Sequence, residues 1–541
     1  MNGTVTSISG ATVCVDLADL KIGDRVFVGT SRLTGEVVRL DDKIATVQVF
    51  EENRGLGIGE PVTTAGDPLT VALGPGLLGG IFDGLQRPLP LLLENSGDFV
   101  SSGQNPFPLD CKKNWAVTTN NKAGDHLHLG EAFAKVREGH IEHLLLMPQD
   151  GTLQQLEEGR LTLENPVARL ADNQPLYGWH SWPVRKARPY QSKLPPTRPL
   201  VTGQRCLDFL FPLLKGGVAM VPGGFGTGKT VLEQTIAKFA DVDVVVYVGC
   251  GERGNEMAGL LDEFSELEDP RTKRPLKERT IIVANTSNMP VAARESSIFT
   301  AVTMAEYYRD MGLDVLFLAD SLSRWAEALR EISSALEEMP GEDGYPTYLG
   351  SRLSGFIERA GVVKTLSGGQ GSLSMILAVS PPGADFAEPV TQACLRVSGA
   401  LYMLDTQLAH RRHFPAINWT QSFSLYSDTA MAHFVEEHEE WAKLQARCRD
   451  ILQREEALRE VAEVVGMEGL QDGDRLLMGT AEKIRLDFLC QNSFTEDAFA
   501  APKSTIESIA TLVAEHDQLS AALDGGALLD DLLKEAANAP R

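Results

Sequence analysis

A glycine-rich segment near the middle of the chain has the residue types and the spacing of a phosphate-binding loop. Val221–Phe239 has the sequence VPGGFGTGKTVLEQTIAKF, which fits the pattern G-x-x-x-x-G-K-[ST] from Gly223 to Thr230. Glycines let the backbone curl so that successive N–H groups point inward, and the helix that follows adds the positive end of its dipole. Lys229 can then reach the β- and γ-phosphates, and the Thr230 hydroxyl can bind Mg²⁺. An ordinary glycine-rich turn is the alternative, and the neighbouring segments decide between the two.

Two acidic residues follow apolar runs that are typical of buried strands. Asp320 ends LDVLFLAD, where a carboxylate can hold the water shell of a metal ion. Glu252 ends VVVYVGCGE, in a glycine-rich turn one helix and one strand beyond Lys229. A carboxylate there can orient or activate water. Because ligands of open α/β sheets bind at the carboxyl ends of the strands, both acids are expected at the edge that holds the phosphates.

Three further residues have roles that residue type alone leaves open. Arg253 follows Glu252, and it can meet phosphate charge or pair with an acid. Arg324, in DSLSRWAEALREIS, has the same two options. An adenine base needs flat apolar walls, and Phe414 in RRHFPAINW offers one, although a single loop phenylalanine is more often a packing residue.

The surrounding pattern predicts the elements that position these residues. Residues 185–428 alternate β-branched runs such as GGVAMVP and RTIIVANT with helical segments, which is typical of a mainly parallel α/β sheet. Residues 1–70 alternate apolar and polar positions, which predicts a small β-barrel. A Gly- and Pro-rich connector (71–108) and a β-rich insertion (109–184) follow. Residues 429–541 predict a helical domain with a last helix near Ser504–Leu523 and a frayed tail.

Composition narrows the class of protein. The formal net charge is −24, which argues against a general nucleic-acid-binding surface because phosphate contacts need clustered Lys and Arg. Seven dispersed cysteines without C-x-x-C spacing favour reduced thiols in a cytosolic protein. The start, MNGTVTSISG, is not typical of a signal peptide, and no run approaches 18 apolar residues.

Four histidines in the insertion raise the possibility of a metal site: His126, His128, His140 and His143. No cysteine or carboxylate grouping accompanies them at ligand spacing. The segment DHLHLG alternates like a strand with one wet face. We therefore expect all four histidines on a solvent-exposed face.

Long segments throughout the chain strongly resemble the catalytic chains, termed A, of the V-type and archaeal A-type rotary ATPases. The matching segments are LTGEVVRLDDKIATVQVFEENRGLGIGEPV, LGPGLLGGIFDGLQRPL, KLPPTRPLVTGQRCLDFLFPLLKGG, GCGERGNEM, ANTSNMPVAARE, SRWAEALREIS, AVSPPGADFAEPVT and RRHFPAINW. The resemblance implies a multidomain α/β protein. Its parts are an N-terminal β-barrel, an inserted β-rich protruding domain, a RecA-like P-loop core and a C-terminal helical domain.

The resemblance also places functional residues on this sequence. It assigns nucleotide binding to the phosphate loop and the residue after it, Gly223, Gly224, Phe225, Gly226, Thr227, Gly228, Lys229, Thr230 and Val231. It assigns catalytic roles to Lys229, Glu252, Arg253, Asp320 and Arg324, and it assigns Mg²⁺ to Thr230 and, through water, Asp320. It assigns the adenine pocket to Phe414 and to Phe494 in CQNSFTEDAF.

Departures from the family pattern are few. Gly224 stands where proline is usual and Thr227 where serine or alanine is usual, so nucleotide affinity is expected to differ. Leu322 replaces a usual threonine, which changes packing rather than chemistry. No catalytic position is lost, which argues against a non-catalytic ring subunit.

The resemblance implies an ion-translocating ATP hydrolase or synthase with ATP or ADP and Mg²⁺ as ligands. The partners it implies are a B-type subunit that alternates with this chain in a hexameric ring, central-shaft and peripheral-stalk subunits, and indirectly a membrane sector that moves H⁺ or Na⁺. It implies a cytoplasmic location, peripheral on the membrane, and no nucleic acid. The alternatives are a RecA-like nucleic-acid motor and a nucleotide-binding ring subunit without turnover.

Overall fold

The structure, a computed structural model, describes residues 2–41, 44–97, 102–269 and 272–532. The chain forms two compact units. Unit 1 comprises Met1–Pro196, Lys215–Met220 and Val242–Ser398, and unit 2 comprises Thr197–Leu214, Val221–Asp241 and Gly399–Arg541. Within the described ranges, no helix is both long and apolar enough to cross a bilayer. The tail that was predicted to be frayed lies, from residue 533 onward, outside the described residues.

Unit 1 begins with a closed six-stranded barrel, as the alternating pattern predicts. Its strands are β1 (Asn2–Ser9), β2 (Thr12–Asp16), β3 (Asp24–Val28), β4 (Leu33–Asp41), β5 (Ile44–Val49) and β6 (Pro61–Pro68). They follow one another around the barrel in the order β1-β2-β5-β4-β3-β6. Valines from alternate positions, among them Val13, Val15, Val26 and Val47, are fully buried inside it. The N-terminal β-barrel is thereby confirmed.

The segment predicted as a connector contains elements that join larger sheets. These elements are β7 (Thr70–Leu73), β8 (Ile81–Phe82) and α1 (Leu89–Ser96). The β-rich insertion follows with β9 (Trp115–Thr118), β10 (His126–Leu127), β11 (Ala132–Glu138), β12 (Ile141–Leu146), β13 (Gly151–Leu156), β14 (Gly159–Leu161), β15 (Pro166–Leu170), β16 (Pro175–Tyr177) and β17 (His180–Pro183). It forms two four-stranded sheets, β10-β13-β15-β16 and β12-β11-β9-β14, and β17 pairs with β7.

The remaining elements alternate strands and helices and then become helical. The strands are β18 (Ser192–Leu194), β19 (Pro199–Leu200), β20 (Leu213–Leu214), β21 (Val218–Pro222), β22 (Val244–Glu252), β23 (Thr280–Thr286), β24 (Asp314–Asp320), β25 (Gly361–Lys364), β26 (Gln370–Val379), β27 (Ala400–Leu401) and β28 (Phe423–Ser424). The helices are α2 (Lys229–Phe239), α3 (Gly254–Glu266), α4 (Val291–Asp310), α5 (Leu322–Ala335), α6 (Leu349–Ile357), α7 (Pro389–Val397), α8 (Thr406–His410), α9 (Ser427–Glu437), α10 (Trp441–Val465), α11 (Asp472–Lys483) and α12 (Pro502–Asp524).

The central sheet of unit 1 is parallel. Its strands lie in the order β8-β23-β22-β24-β26, and each neighbouring pair is parallel. β25 adds to β26 antiparallel, and β18 adds to β25. The register of β22 and β24 sets Gly249 opposite Asp320, so the carboxyl ends of these two strands meet at one edge. This is the edge at which open α/β sheets bind ligands.

Unit 2 contains the helical domain together with α2 and the segments that flank it. Its core is aromatic: the rings of Phe434 and Trp441 stack with centroids 4.3 Å apart, and Phe209 lies 5.4 Å from Trp441 and 5.3 Å from Phe488. The strand pairs β19–β20 and β27–β28 are antiparallel. The C-terminal helical domain is confirmed.

The expectation that all four histidines of the insertion face solvent is wrong. His126 and His128 on and after β10 are exposed, as expected. His143 is fully buried, shares a 2.6 Å hydrogen bond with the Glu138 carboxylate, and lies 2.9 Å from the Tyr307 hydroxyl on α4. The physical reason is that this face of β12 packs against α4 rather than against water. His140 is half-buried and lies 2.9 Å from the carbonyl of Asp243.

Candidate functional site

The phosphate loop in unit 2 connects the end of β21 to the first residue of α2. Gly226 and Gly228 have φ angles of +76° and +85°, in the left-handed region that favours glycine. A Cβ atom at Gly223 would lie 2.7 Å from the Cβ of Leu404. The glycines of the pattern are thus required by this conformation, two by their dihedral angles and one by close packing.

Lys229 is oriented by the loop that precedes it. Its Nζ donates hydrogen bonds to the carbonyl oxygens of Gly223 at 2.7 Å and Gly224 at 2.9 Å. Two of the three N–H donors of the ammonium group therefore engage the loop backbone. This arrangement holds the charge of Lys229 at the loop itself, where a phosphate group bound by the loop would meet it.

A cavity of about 630 Å³ lies beside the loop, within unit 2. Its lining residues come from the phosphate loop and α2, from the segment around Phe414, and from the segment after α11: Gly226, Gly228, Val231, Leu232, Arg412, Phe414, Pro415, Cys490, Gln491, Asn492, Ser493 and Phe494. Ligand sites of this size are mostly apolar with a few polar groups, which is the character of this lining.

The structure brings Phe414 and Phe494 to that one cavity. The Phe414 ring lies over the loop, since a Cβ at Gly228 would be 3.3 Å from it. The side chain of Phe414 is 37% exposed and that of Phe494 is 82% exposed. Neither ring is a core residue, so each presents a face that a flat ligand can cover.

Unit 1 holds the acidic residues of the candidate site at one sheet edge. Glu252 is the last residue of β22 and Asp320 the last of the adjacent β24, where Asp320 is buried. Burial raises the pKa of Glu252 to about 8, and the nearby Asp320 and Glu256 carboxylates add to the rise, whereas Arg324 opposes it. A carboxylate with a pKa near neutrality is suited to taking a proton from water.

The turn that carries Glu252 is enclosed by two arginines. Gly251 has a φ angle of +73°, and a Cβ there would lie 2.8 Å from the Cβ of Arg324 and 3.0 Å from the Cδ of Arg294. The Glu252 carbonyl accepts a hydrogen bond from the Ser287 amide at 2.8 Å. The backbone on both sides of Glu252 is therefore fixed.

The two predicted arginines both lie near acids of their own helices. Arg324 donates to both carboxylate oxygens of Glu327 at 2.9 Å, and its side chain is half-exposed. Arg253 lies 4.0 Å from Glu256, and its side chain is 65% exposed. Whether Arg253 contacts phosphate or serves as an ion-pair partner stays a prediction.

Arg294 is a residue that the motif reasoning missed. Its side chain is nearly buried, and its Nη2 donates to the Ser287 carbonyl at 3.0 Å, beside the turn that holds Glu252. It lies within ANTSNMPVAARE, a segment in which we noted only its resemblance to the family. A basic residue in the first turn of a helix that follows a core strand was the available signal.

The chain matches four sequence models that together cover most of its length. Residues 203–424 match the ATP synthase alpha/beta family, nucleotide-binding domain, and residues 433–525 match the C-terminal domain of V and A type ATP synthase. Residues 107–185 match the barrel-sandwich domain of the ATP synthase alpha and beta chains, and residues 3–66 match the beta-barrel domain of the same family.

Known relatives are similar over nearly the entire chain. An A-type ATP synthase catalytic chain of Methanospirillum hungatei JF-1, the one numbered A 2, is 48% identical over 540 residues, which cover 98% of this chain and 92% of that protein. The chain belongs to the family of A-type ATP synthase A chains and V-type ATP synthase alpha chains. The resemblance drawn from the sequence is thereby confirmed.

Other members of this family show the same similarity. The A chain of the A-type ATP synthase of Methanopyrus kandleri is 49% identical, covering 99% of this chain and 92% of that protein. The V-type ATP synthase alpha chain of Anaeromyxobacter dehalogenans 2CP-C is 49% identical, covering 98% and 93%. Membership brings nucleotide binding and assembly with other ATP synthase chains.

A solved structure shares the fold. It is that of the assembled ATPase EscN from the type III secretion system of enteropathogenic E. coli, with a TM-score of 0.67 and 22% identity. The alignment covers 94% of this chain and 100% of that chain. At this identity the similarity supports the fold alone.

Proposed function

We propose that this chain is the catalytic subunit of an A-type or V-type rotary ATPase, which hydrolyses or synthesises ATP at an interface with a B-type subunit. The observation that supports this most directly is in unit 2. There Lys229 is oriented by the phosphate loop, and the cavity beside that loop is lined by Phe414 and Phe494. A charged phosphate anchor beside a flat apolar cavity fits a nucleotide.

Each residue has a proposed role in that reaction. Lys229 and the inward-pointing loop amides of Gly223–Thr230 bind the phosphates, and the two phenylalanines hold the base. Glu252 orients and activates water for attack on the γ-phosphate, or releases that water in synthesis. Arg324 and Arg253 offset charge on the phosphates.

Mg²⁺ fits the oxygen donors that the chain provides. Hydroxyl and carboxylate oxygens and water are the ligands that Mg²⁺ prefers, and Asp320 is a buried carboxylate at the edge of the sheet. We assign Thr230 as a direct ligand and Asp320 as a ligand through water. The ion would neutralise phosphate charge, and the residues of this chain would orient the reactants.

The proposed assembly is a hexameric ring in which this chain alternates with a B-type subunit. Central-shaft and peripheral-stalk subunits would connect the ring to a membrane sector that moves H⁺ or Na⁺, which places this chain in the cytoplasm and peripheral to the membrane. A neighbouring B-type chain would supply an arginine to the transferring phosphate, an arrangement worth about 10³–10⁵ in rate in other phosphoryl-transfer enzymes.

The test is the ATPase rate at a fixed concentration of this chain against increasing B-type partner. The chain alone is expected to bind nucleotide and to hydrolyse it barely, and the rate is expected to rise until the partner is equimolar. The Lys229→Ala chain, mixed with the same partner, is the control for contaminating activity. Full activity from the chain alone would overturn the shared site, and no activity with the partner would favour a non-catalytic ring subunit.

A further inference from the structure

We propose that Arg205 is a positioning residue for base binding. It holds the segment from Cys490 to Asp497, which we name the base segment and which carries Phe494, in the place where that ring lines the cavity. The inference rests on the proposed function, because it takes this cavity as the base pocket. Arg205 lies in VTGQRCLDF, ahead of the phosphate loop in sequence, and is not itself one of the residues that line the cavity.

The contacts of Arg205 converge on both ends of the base segment. Its Nε donates to the carbonyl of Phe488 at 2.8 Å, and its Nη2 donates to the carbonyl of Cys490 at 2.8 Å. Its two terminal nitrogens also bind the two carboxylate oxygens of Asp497. The side chain of Arg205 is only 12% exposed, so these bonds are shielded from solvent. The guanidinium group thus ties the start of the base segment to its end.

The same carboxylate that Arg205 binds also closes the turn that presents Phe494. Asp497 Oδ2 accepts a hydrogen bond from the Asn492 amide at 3.1 Å. The side-chain oxygen of Asn492 in turn accepts from the Phe494 amide at 3.0 Å. A short series of hydrogen bonds therefore leads from Arg205 through Asp497 and Asn492 to the backbone of Phe494.

A second series of contacts leads to the other ring. The backbone amide of Arg205 donates to the side-chain oxygen of Gln491 at 2.8 Å, and the side-chain nitrogen of Gln491 donates to the Gly203 carbonyl at 2.9 Å. The Gln491 amide donates to the carbonyl of Phe414 at 2.7 Å. Both phenylalanines of the cavity are thus connected to the backbone or side chain of Arg205.

The exposure of Phe494 explains why such a support is needed. With 82% of its surface accessible, the ring is not held by packing, so the backbone of its segment must set its position. Arginine suits this task because its planar fork can bond two carbonyls and a carboxylate at once, whereas the ammonium group of lysine is a point donor. Lysine at this position is expected to keep the charge and lose the geometry.

The experiment measures the affinity of the full-length chain for two ligands by calorimetry: MgATP, and magnesium triphosphate, which lacks a base. The variants are Arg205→Lys and the milder Asp497→Asn. Arg447→Ala is the matched control, because Arg447 pairs with Asp517 at 2.9 Å between two helices of the same unit. Phe494→Ala tests the pocket itself.

Arg205→Lys is expected to weaken MgATP binding by about tenfold, the scale of one lost charge-assisted contact. It is expected to change triphosphate binding by less than about twofold, because only base contacts are lost. Asp497→Asn should weaken MgATP in the same direction and by less, and Arg447→Ala should change neither affinity.

Two results would overturn the proposal. If Arg205→Lys weakens both ligands equally, Arg205 supports the unit as a whole rather than the base pocket. If Phe494→Ala weakens MgATP and Arg205→Lys does not, the positioning role is wrong while the base pocket stands. If Phe494→Ala itself leaves MgATP binding unchanged, the cavity is not the base site, and the proposed assignment of Phe494 is wrong as well.

Discussion

The hydroxyl group of Thr227 donates a hydrogen bond of 2.9 Å to the carbonyl oxygen of Gly224. These two residues are the positions at which the phosphate loop departs from the usual pattern of its family, so the departures are in direct contact. Thr227 is almost completely buried, and the bond therefore fixes the curvature of the loop without help from water. The branched residue stabilises a stretch in which Gly224 adds backbone freedom.

Thr227→Val is therefore expected to weaken MgADP binding. Valine keeps the shape and removes the donor, and a typical hydrogen bond is worth about 1 kcal/mol, or roughly a fivefold change in the dissociation constant. Thr227→Ser keeps the hydroxyl and serves as the control. Calorimetric titration of the two variants compares them directly, and equal affinities would show that the bond does not shape the loop.

Lys229→Ala is expected to abolish turnover and to weaken nucleotide binding greatly, because a charge-assisted contact to phosphate is worth about 1.5–3 kcal/mol. Lys238→Ala, near the other end of the same helix, removes an equal charge away from the loop. ATPase rates of the variants, each assembled with the B-type partner, separate the two effects. Hydrolysis retained by the Lys229 variant would refute the phosphate-loop assignment.

The two cavity phenylalanines are expected to affect affinity more than chemistry. Phe414→Ala and Phe494→Ala should each raise the KM for ATP and leave kcat within several-fold, as the loss of uniform binding predicts. Phe423→Ala, a comparably exposed phenylalanine that does not line this cavity, should change neither constant. Steady-state kinetics of the assembled enzyme provide both constants, and an unchanged KM for Phe494→Ala would remove it from the base pocket.

His180 predicts a pH dependence of stability. It is buried, and Arg188 donates to its Nε2 at 3.1 Å, so the neutral ring is favoured and its pKa lies well below 6.5 because of burial and the nearby Arg188. In the unfolded chain the imidazole takes up a proton as the pH falls through about 6.5, whereas in the folded chain it does not. The free energy of unfolding should therefore fall as the pH drops below about 6.5, by at most about 1.4 kcal/mol per pH unit from this residue.

His180→Gln keeps an acceptor for Arg188 and removes the titration. Its urea-unfolding free energy is expected to depend less on pH between about pH 7.5 and about 5.5 than that of the unmodified chain. His126→Gln, on an exposed strand, should leave the slope as it was. An unchanged slope in the His180 variant would show that this histidine is not the titrating group.

Much of the fold was predictable because its elements have strong local patterns. The valines of the barrel alternate, and the apolar runs that end in Glu252 and Asp320 form adjacent parallel strands. The glycines of the phosphate loop were predictable for a physical reason, since their left-handed dihedral angles and close contacts exclude larger residues at Gly226 and Gly228.

What the sequence could not provide was the set of contacts made by polar residues distant along the chain. His143 looked like a strand residue facing water, and only the packing of β12 against α4 buries it beside Tyr307. Arg205 and Asp497 are 292 positions apart, and no local pattern pairs them. Long-range pairs of this kind depend on tertiary structure alone.

Glu252→Gln tests the central claim most directly. A carboxylate that activates water acts in the transition state, so the variant should still bind MgATP with nearly unchanged affinity and turn over slower by orders of magnitude. Glu263→Gln, an exposed change on the helix that follows, is the matched control and should retain full activity. The measurement is MgATP affinity and single-turnover hydrolysis of both variants in the assembly with the B-type partner. Normal hydrolysis by the Glu252 variant would contradict the account, and tight binding without turnover is the result it predicts.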